Sequence, residues 1–202
     1  MKRNAKIGWF IAIAVVVLGL GYLMFRQQED LPAYTLEAGD RPIKGSAEAT
    51  ILVEEFSDFQ CPACKSAQGV VQDVVDTFGD KIAFTYKHFP LSSIHPFAMR
   101  AALASECAND QGKFWEYHDL LFANQPNFSE GELIAYAGDL ELDTASFTAC
   151  LKSRARQDIV RGDMREGDRR NVNSTPSFFV NGERVTEWTQ LRSIIQGKLI
   201  GG

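Results

Sequence analysis

Hydrophobic and polar positions divide the chain into an apolar head, a polar stretch, and a long region whose period switches between two and three to four. Residues 7–25 carry no charge, with Lys2, Arg3 and Lys6 before them and Arg26 after. As a helix rising about 1.5 Å per residue, that run spans roughly 28 Å, close to the hydrocarbon thickness of a bilayer. Residues 1–26 therefore read as a basic cytoplasmic tip and a single transmembrane anchor. A cleaved signal peptide would have a shorter apolar region, about 7–15 residues. The small-x-small pattern Gly19-Leu20-Gly21 also lies inside the run rather than after it. The basic flank puts the N-terminus in the cytoplasm and the rest outside. Residues 27–46 are polar, broken by Pro32 and Pro42, and read as a tether with a short edge element around Tyr34-Thr35-Leu36.

From residue 47 to residue 199 the pattern predicts one α/β domain. Residues 49–53 form a buried strand, and beyond it Ile51, Val53 and Glu55 alternate with Leu52, Glu54 and Phe56. Val70, Val71, Val74, Val75 and Phe78 then repeat at helical spacing over 66–78, up to Gly79. Residues 81–88 are a second strand, so strand, helix and strand make a βαβ unit with a parallel pair. A helical block follows at about 92–168, with segments at 96–109, 113–123 and 144–163. One more segment opens at the capping box Ser129-x-x-Glu132. Strand character returns at Ser177-Phe178-Phe179-Val180 and Glu183-Arg184-Val185-Thr186, with Asn181-Gly182 between them as a type I′ hairpin signal. An amphipathic helix over 188–199 closes the domain.

Composition narrows the class. With 202 residues, 45% of them hydrophobic, the chain can bury one sizeable core. Residues 1–28 hold four basic side chains and no acidic one, so a net charge of −5 for the whole becomes −5 − (+4) = −9 for the remainder. An acidic domain is poorly matched to phosphate backbones, which argues against nucleic acid as a partner. The aromatic cluster Phe114-Trp115-Glu116-Tyr117-His118 reads as core packing of the helical block.

The candidate chemistry lies at Cys61-Pro62-Ala63-Cys64, where a strand hands over to a helix. The first helical turn carries unpaired N–H groups and the positive end of the macrodipole, which stabilise a thiolate. Pro62 suits the first helical position, where its missing N–H has no partner to lose. Cys61 is then the exposed nucleophile and Cys64, one turn in, the shielded resolving thiol of a redox pair. Glu55 shares a face with two core aliphatics, six residues before Cys61. It is either a buried acid able to exchange a proton with Cys64 or a surface glutamate at the strand end. Cys107 and Cys150 remain. Outside the membrane an even cysteine count favours a disulfide framework, so these two are assigned to each other as a structural bridge. Zinc is disfavoured, since there is no second CxxC and no histidine at ligand spacing. His88 and His95 are possible charges near the site, with a loop role favoured for His95.

Cys-Pro-Ala-Cys at a strand–helix junction, a helical insertion, and Ser174-Thr175-Pro176-Ser177-Phe178-Phe179-Val180-Asn181-Gly182 together resemble the DsbA family of thioredoxin-fold oxidoreductases, in particular its membrane-anchored, BdbD-like forms. The likeness runs from about residue 47 to 199. It implies a thioredoxin fold with an inserted helical subdomain, Cys61 as nucleophile with Cys64 as its partner, and Pro176 as a cis-proline facing the dithiol. It implies Thr175, with Pro62 and Ala63, as the surface met by substrate, and Glu55 as the family's buried acid. No cofactor is implied. The expected activity is introduction of disulfides into exported proteins with free thiols, with reoxidation by a DsbB-like or VKOR-like membrane protein. Ala63 departs from the histidine that strongly oxidising members often carry before the second cysteine. A membrane-tethered reductase, as in apocytochrome maturation, and a non-catalytic chaperone are the competing expectations.

Overall fold

The computed structural model describes residues 41–201. The anchor, most of the tether and the edge element expected at 34–36 lie outside the described residues. Among the described residues no helix is long and apolar enough to cross a membrane.

Strands β1 (Ile43–Gly45), β2 (Ile51–Ser57) and β3 (Ile82–His88), with β4 (Ser177–Val180) and β5 (Glu183–Arg184), form one mixed sheet in the order β1-β3-β2-β4-β5. Helix α1 (Pro62–Phe78) connects β2 to β3, which run parallel with Ile51 opposite Ile82 and Glu55 opposite Tyr86. The edge strand β1 falls inside the stretch read as tether. It pairs antiparallel with β3, Ile43 opposite Thr85. At Asn181 and Gly182 φ is +50° and +80°, the positive pair that a two-residue type I′ loop requires.

The inserted block holds α2 (Ala98–Asn109), α3 (Phe114–Ala123), α4 (Glu130–Asp139), α5 (Thr144–Ser153) and α6 (Gln157–Arg169). Ser129 and Glu132 cap α4 reciprocally. The single helix expected over 144–163 is two. Arg154 takes a left-handed φ of +54° and its N–H closes onto the Cys150 and Leu151 carbonyls, ending α5 without a glycine or proline to announce the break. After a short 3₁₀ turn (Trp188–Gln190), α7 (Leu191–Gly201) completes the domain.

Two large cores lie on one face of the sheet, and Phe56, Phe89, Val172 and Phe179 form a smaller one on the other. Ile51, Val53, Ile82, Phe84, Phe178 and Val180 pack against Val71 and Val74 of α1 and Leu191 and Ile195 of α7. The second core joins Phe59, Cys61, Cys64 and Tyr86 to the helical block through Tyr117, Leu121, Phe122 and Phe147. Trp115 and His118 sit among these aromatic rings, as the packing expectation had it. A bond between Cys107 and Cys150 joins α2 to α5, with their Cα atoms 5.9 Å apart.

Helix α6 lies so close to the sheet that a Cβ on Gly167 would stand 2.6 Å from the Phe89 ring, so only glycine fits. Charges fix this seam. Arg170 holds Glu54 through two hydrogen bonds of 2.9 and 3.0 Å and lies 3.8 Å over the Phe179 ring. Lys87 bonds Glu166 at 2.8 Å. Nearby, Arg41 pairs with Asp163 and Glu106, and His88 bonds Glu106 at 2.8 Å. With both faces covered, all seven residues of β2 are buried, Glu54 and Glu55 included.

Candidate active site

The site forms where β2 ends. Residues 58–61 turn from strand to helix, with the Cys61 N–H donating to the Asp58 carbonyl at 3.0 Å. Cys61 is the N-cap of α1, in extended conformation, and Pro62 occupies the first turn. The Asp58 carboxylate holds this turn. It accepts from the Gln60 and Leu91 N–H groups at 2.7 and 2.8 Å and pairs with His95 Nδ1 at 2.8 Å. His95 thus serves the loop beside the site by fixing Asp58. From the helical block, Gln125 Nε2 donates to the carbonyls of Phe59 and Cys61 at 2.6 and 3.0 Å.

The two sulfurs are unequal. Cys64 is fully buried, while Cys61 retains 7% exposure, less than the open nucleophile the sequence suggested. Both are thiols here. Cys61 ionises well below its ordinary range, at about 5. The hydrogen bond from the Cys64 thiol is the main cause. Burial opposes it, and the Cys64 N–H, Thr175 and the Ala63 N–H add to it. Burial pushes Cys64 strongly up, and the hydrogen bond it gives Cys61 and the neighbouring Glu55 push it further. The Asp58 N–H reaches the Cys64 sulfur at 3.5 Å.

Across the turn, Thr175–Pro176 is a cis peptide bond, and the Cys61 thiol donates to the Thr175 carbonyl at 3.5 Å. Pro176 immediately precedes β4, so the backbone of Thr175 stands beside the reactive sulfur. Behind the sulfurs lies Glu55, wholly buried and beyond the reach of solvent. Burial raises its carboxyl from 4.5 to about 7, against the lowering effect of the Ser57 hydroxyl, which donates to Oε1 at 2.7 Å. The surface alternative for Glu55 is removed, because the helices cover both faces of β2.

Of the residues singled out in sequence, Cys61, Cys64, Pro62, Ala63, Glu55, Thr175 and Pro176 meet at this one place. Cys107 and Cys150 stand apart in the helical block. Sequence reasoning missed Ser57, Asp58, Tyr86 and Gln125. Ser57 and Asp58 lie between two motif positions and could have been found by asking what satisfies the turn; Gln125 reaches the turn from 64 residues away and has no local signal. A surface depression of about 690 Å³, lined by Thr50, Asn181, Ser193 and Lys198 among others, lies at the opposite end of β2 and takes no part.

Comparison with known proteins places the family and the fold. The sequence profile of the family described as Thioredoxin covers residues 37–197, and the chain belongs to that family. Among solved structures, BdbD from Bacillus subtilis in its oxidised form superposes with a TM-score of 0.71 at 23% identity, over 80% of this chain and 92% of that one. A thioredoxin-like oxidoreductase from Silicibacter pomeroyi gives 0.71 at 26% identity, over 79% and 92%. The fold is that of DsbA-like thiol–disulfide oxidoreductases. Curated relatives bear a different name. A Na⁺/H⁺ antiporter NhaA 1 of Salinispora arenicola is 40% identical over 70% of this chain, and one of Mycobacterium sp. (strain KMS) is 38% identical over 91%. The chain spans only 22% and 32% of those proteins' lengths, so the name describes much longer polypeptides.

Proposed function

We propose that the chain is a membrane-tethered thiol–disulfide oxidase that introduces disulfide bonds into exported proteins through Cys61 and Cys64. The observation that carries this reading is the unequal dithiol beside Thr175 and Pro176. Cys61, ionised above about pH 5, is held at a helix N-cap, while its partner stays protonated. Stabilising the Cys61 thiolate stabilises the reduced enzyme and so makes its disulfide a stronger oxidant. Each pKa unit is worth about 1.4 kcal/mol, the equivalent of about 30 mV.

A client thiolate attacks Cys61 of the Cys61–Cys64 disulfide, the bond between them breaks, and the electron pair leaves on Cys64. A second client thiolate attacks the client sulfur of the mixed disulfide and releases Cys61 as a thiolate and the client as a disulfide. The Thr175 backbone offers an extended client segment a strand-like partner, which reads main chain rather than sequence. A DsbB-like or VKOR-like membrane protein returns the dithiol to the disulfide. The uncharged run at 7–25 with its basic flank supports a single-pass anchor, cytoplasmic N-terminus and extracytoplasmic domain. The matching segments inside longer proteins named as antiporters support a place at a membrane. Antiport itself is not carried over.

Equilibration of the Cys61–Cys64 pair with glutathione tests the direction. The oxidase reading expects a potential at the oxidising end of the thioredoxin-fold range. A strongly reducing value would replace it with the reductase reading. Trapping with Cys64→Ala then identifies clients and reoxidant as mixed disulfides on Cys61.

A further inference from the structure

Behind the dithiol, two buried polar atoms have no hydrogen-bond partner among the described residues: Glu55 Oε2 and the Tyr86 hydroxyl. Both residues are fully enclosed, and they are register partners on β2 and β3, so their side chains leave the sheet on the same face. The Tyr86 ring is stacked on Phe59 with centroids 4.8 Å apart, which fixes its position. The Ser57 hydroxyl is buried and donates to Glu55 Oε1 at 2.7 Å, and it is close enough to lower the pKa of both Cys64 and Tyr86. Leaving buried polar atoms unsatisfied costs about 1–3 kcal/mol each.

We propose that the Ser57 hydroxyl carries the proton between Cys64 and Glu55, and that the Tyr86 hydroxyl is the positioning group that holds Ser57 aimed while it does so. This deepens the oxidoreductase reading and rests on it. In the structure Ser57 spends its one proton on Glu55. When a client thiolate breaks the Cys61–Cys64 bond, the electron pair arrives on Cys64. Ser57 passes its proton to that sulfur and takes the proton held by the Glu55 carboxyl, so the thiol forms and the carboxylate is left. In the reverse direction the Cys64 proton moves through Ser57 to the Glu55 carboxylate, and Cys64 attacks Cys61. Tyr86 donates to the Ser57 oxygen as that hydroxyl turns. Ser57 already acts on all three neighbours: burial dominates the high ionisation of Cys64 and Tyr86, and Ser57 pulls both of them down. The other charges acting here are Cys61 and Lys44 on Glu55, and Cys64, Glu55 and Asp58 on Tyr86.

Oxidised glutathione separates the steps. The Cys61 thiolate attacks it first, giving a mixed disulfide and one glutathione thiolate; Cys64 then displaces the second glutathione. Only the second step needs Cys64 to lose its proton. Ser57→Ala and Tyr86→Phe in the full chain are expected to accumulate the Cys61–glutathione adduct, with resolution slowed by about tenfold or more, at the low end of what a positioned proton carrier supplies. The first step, read as alkylation of Cys61 by iodoacetamide, should keep its rate. In Ser57→Ala the pH dependence of resolution should also lose the inflection near 7 contributed by Glu55. Tyr86→Phe keeps the ring on Phe59, so it separates the hydroxyl from packing. Wild-type resolution rates in Ser57→Ala overturn the relay; wild-type rates in Tyr86→Phe remove Tyr86 from it. A wild-type chain that forms no glutathione adduct at all would refute the oxidoreductase reading, a different outcome from either.

Discussion

The protein holds two cysteine pairs, and their surroundings make them opposites. Cys61 and Cys64 sit on one helical turn, beside a carboxyl group, an open N-cap and a cis-proline. The carboxyl group, the N–H groups of the N-cap turn and Thr175 each change the cost of ionising a sulfur. Cys107 and Cys150 lie 43 residues apart and join two helices, and the acids near them, Glu106 and Asp110, are occupied by His88 and Arg156. The first pair is built so that one sulfur gives up its proton readily and the other does not. The second closes a loop. The difference teaches that the same two-atom bond serves chemistry or scaffolding according to what lies within a few ångströms of it.

The comparison breaks most sharply at Cys61. Cys61→Ser is expected to abolish thiol–disulfide exchange with a reduced client; residual exchange at the wild-type rate would mean the chemistry lies elsewhere. Removing the other pair should do the reverse. In the chain-entropy picture a loop of about 40 residues is worth on the order of 4 kcal/mol, so the double substitution Cys107→Ala, Cys150→Ala should lower stability by about that much in denaturant unfolding. Its Cys61 alkylation rate should stay at the wild-type value. A loss of exchange activity out of proportion to stability would show that the two pairs are coupled.

Glu55 sharpens the contrast with a smaller effect. Its carboxyl keeps a proton in the folded chain up to about pH 7, whereas the ordinary group loses it near 4.5. Between those values the folded state binds more protons than the unfolded one, so stability falls as pH rises through the window and is lowest above it. Glu55→Gln should therefore match the wild type at pH 4 and exceed it at pH 8 by on the order of 3 kcal/mol. Equal stability at both pH values would place the carboxyl in contact with water.

How much of this could be read from the chain followed from the range of the interactions. The βαβ unit, the Asn181-Gly182 hairpin and the Ser129 capping box depend on neighbours in sequence, and their patterns were plain. The dithiol was legible for the same reason, since both sulfurs and the helix start that tunes them lie within four residues. What stayed hidden depends on distant segments. The left-handed Arg154 that divides α5 from α6 has no glycine to announce it. Strand β1 took a place in the sheet from a segment that looked like linker, because it is three residues long and its pairing with β3 supplies the order. The burial of Glu54 could not be inferred either, since alternation alone puts it on a solvent face and only α6, arriving more than a hundred residues later with Arg170, covers it.

The reach of Gln125 to the carbonyls of Phe59 and Cys61 carries one more consequence. The inserted block is stitched to the bend that presents the nucleophile by this amide, by His95 on Asp58 and by the Phe97 N–H on Gln60, so it shares in building the site. A graft that replaced it with another bundle would have to supply a donor at the same spot or leave two backbone acceptors facing nothing. In this fold, modularity ends at that bend.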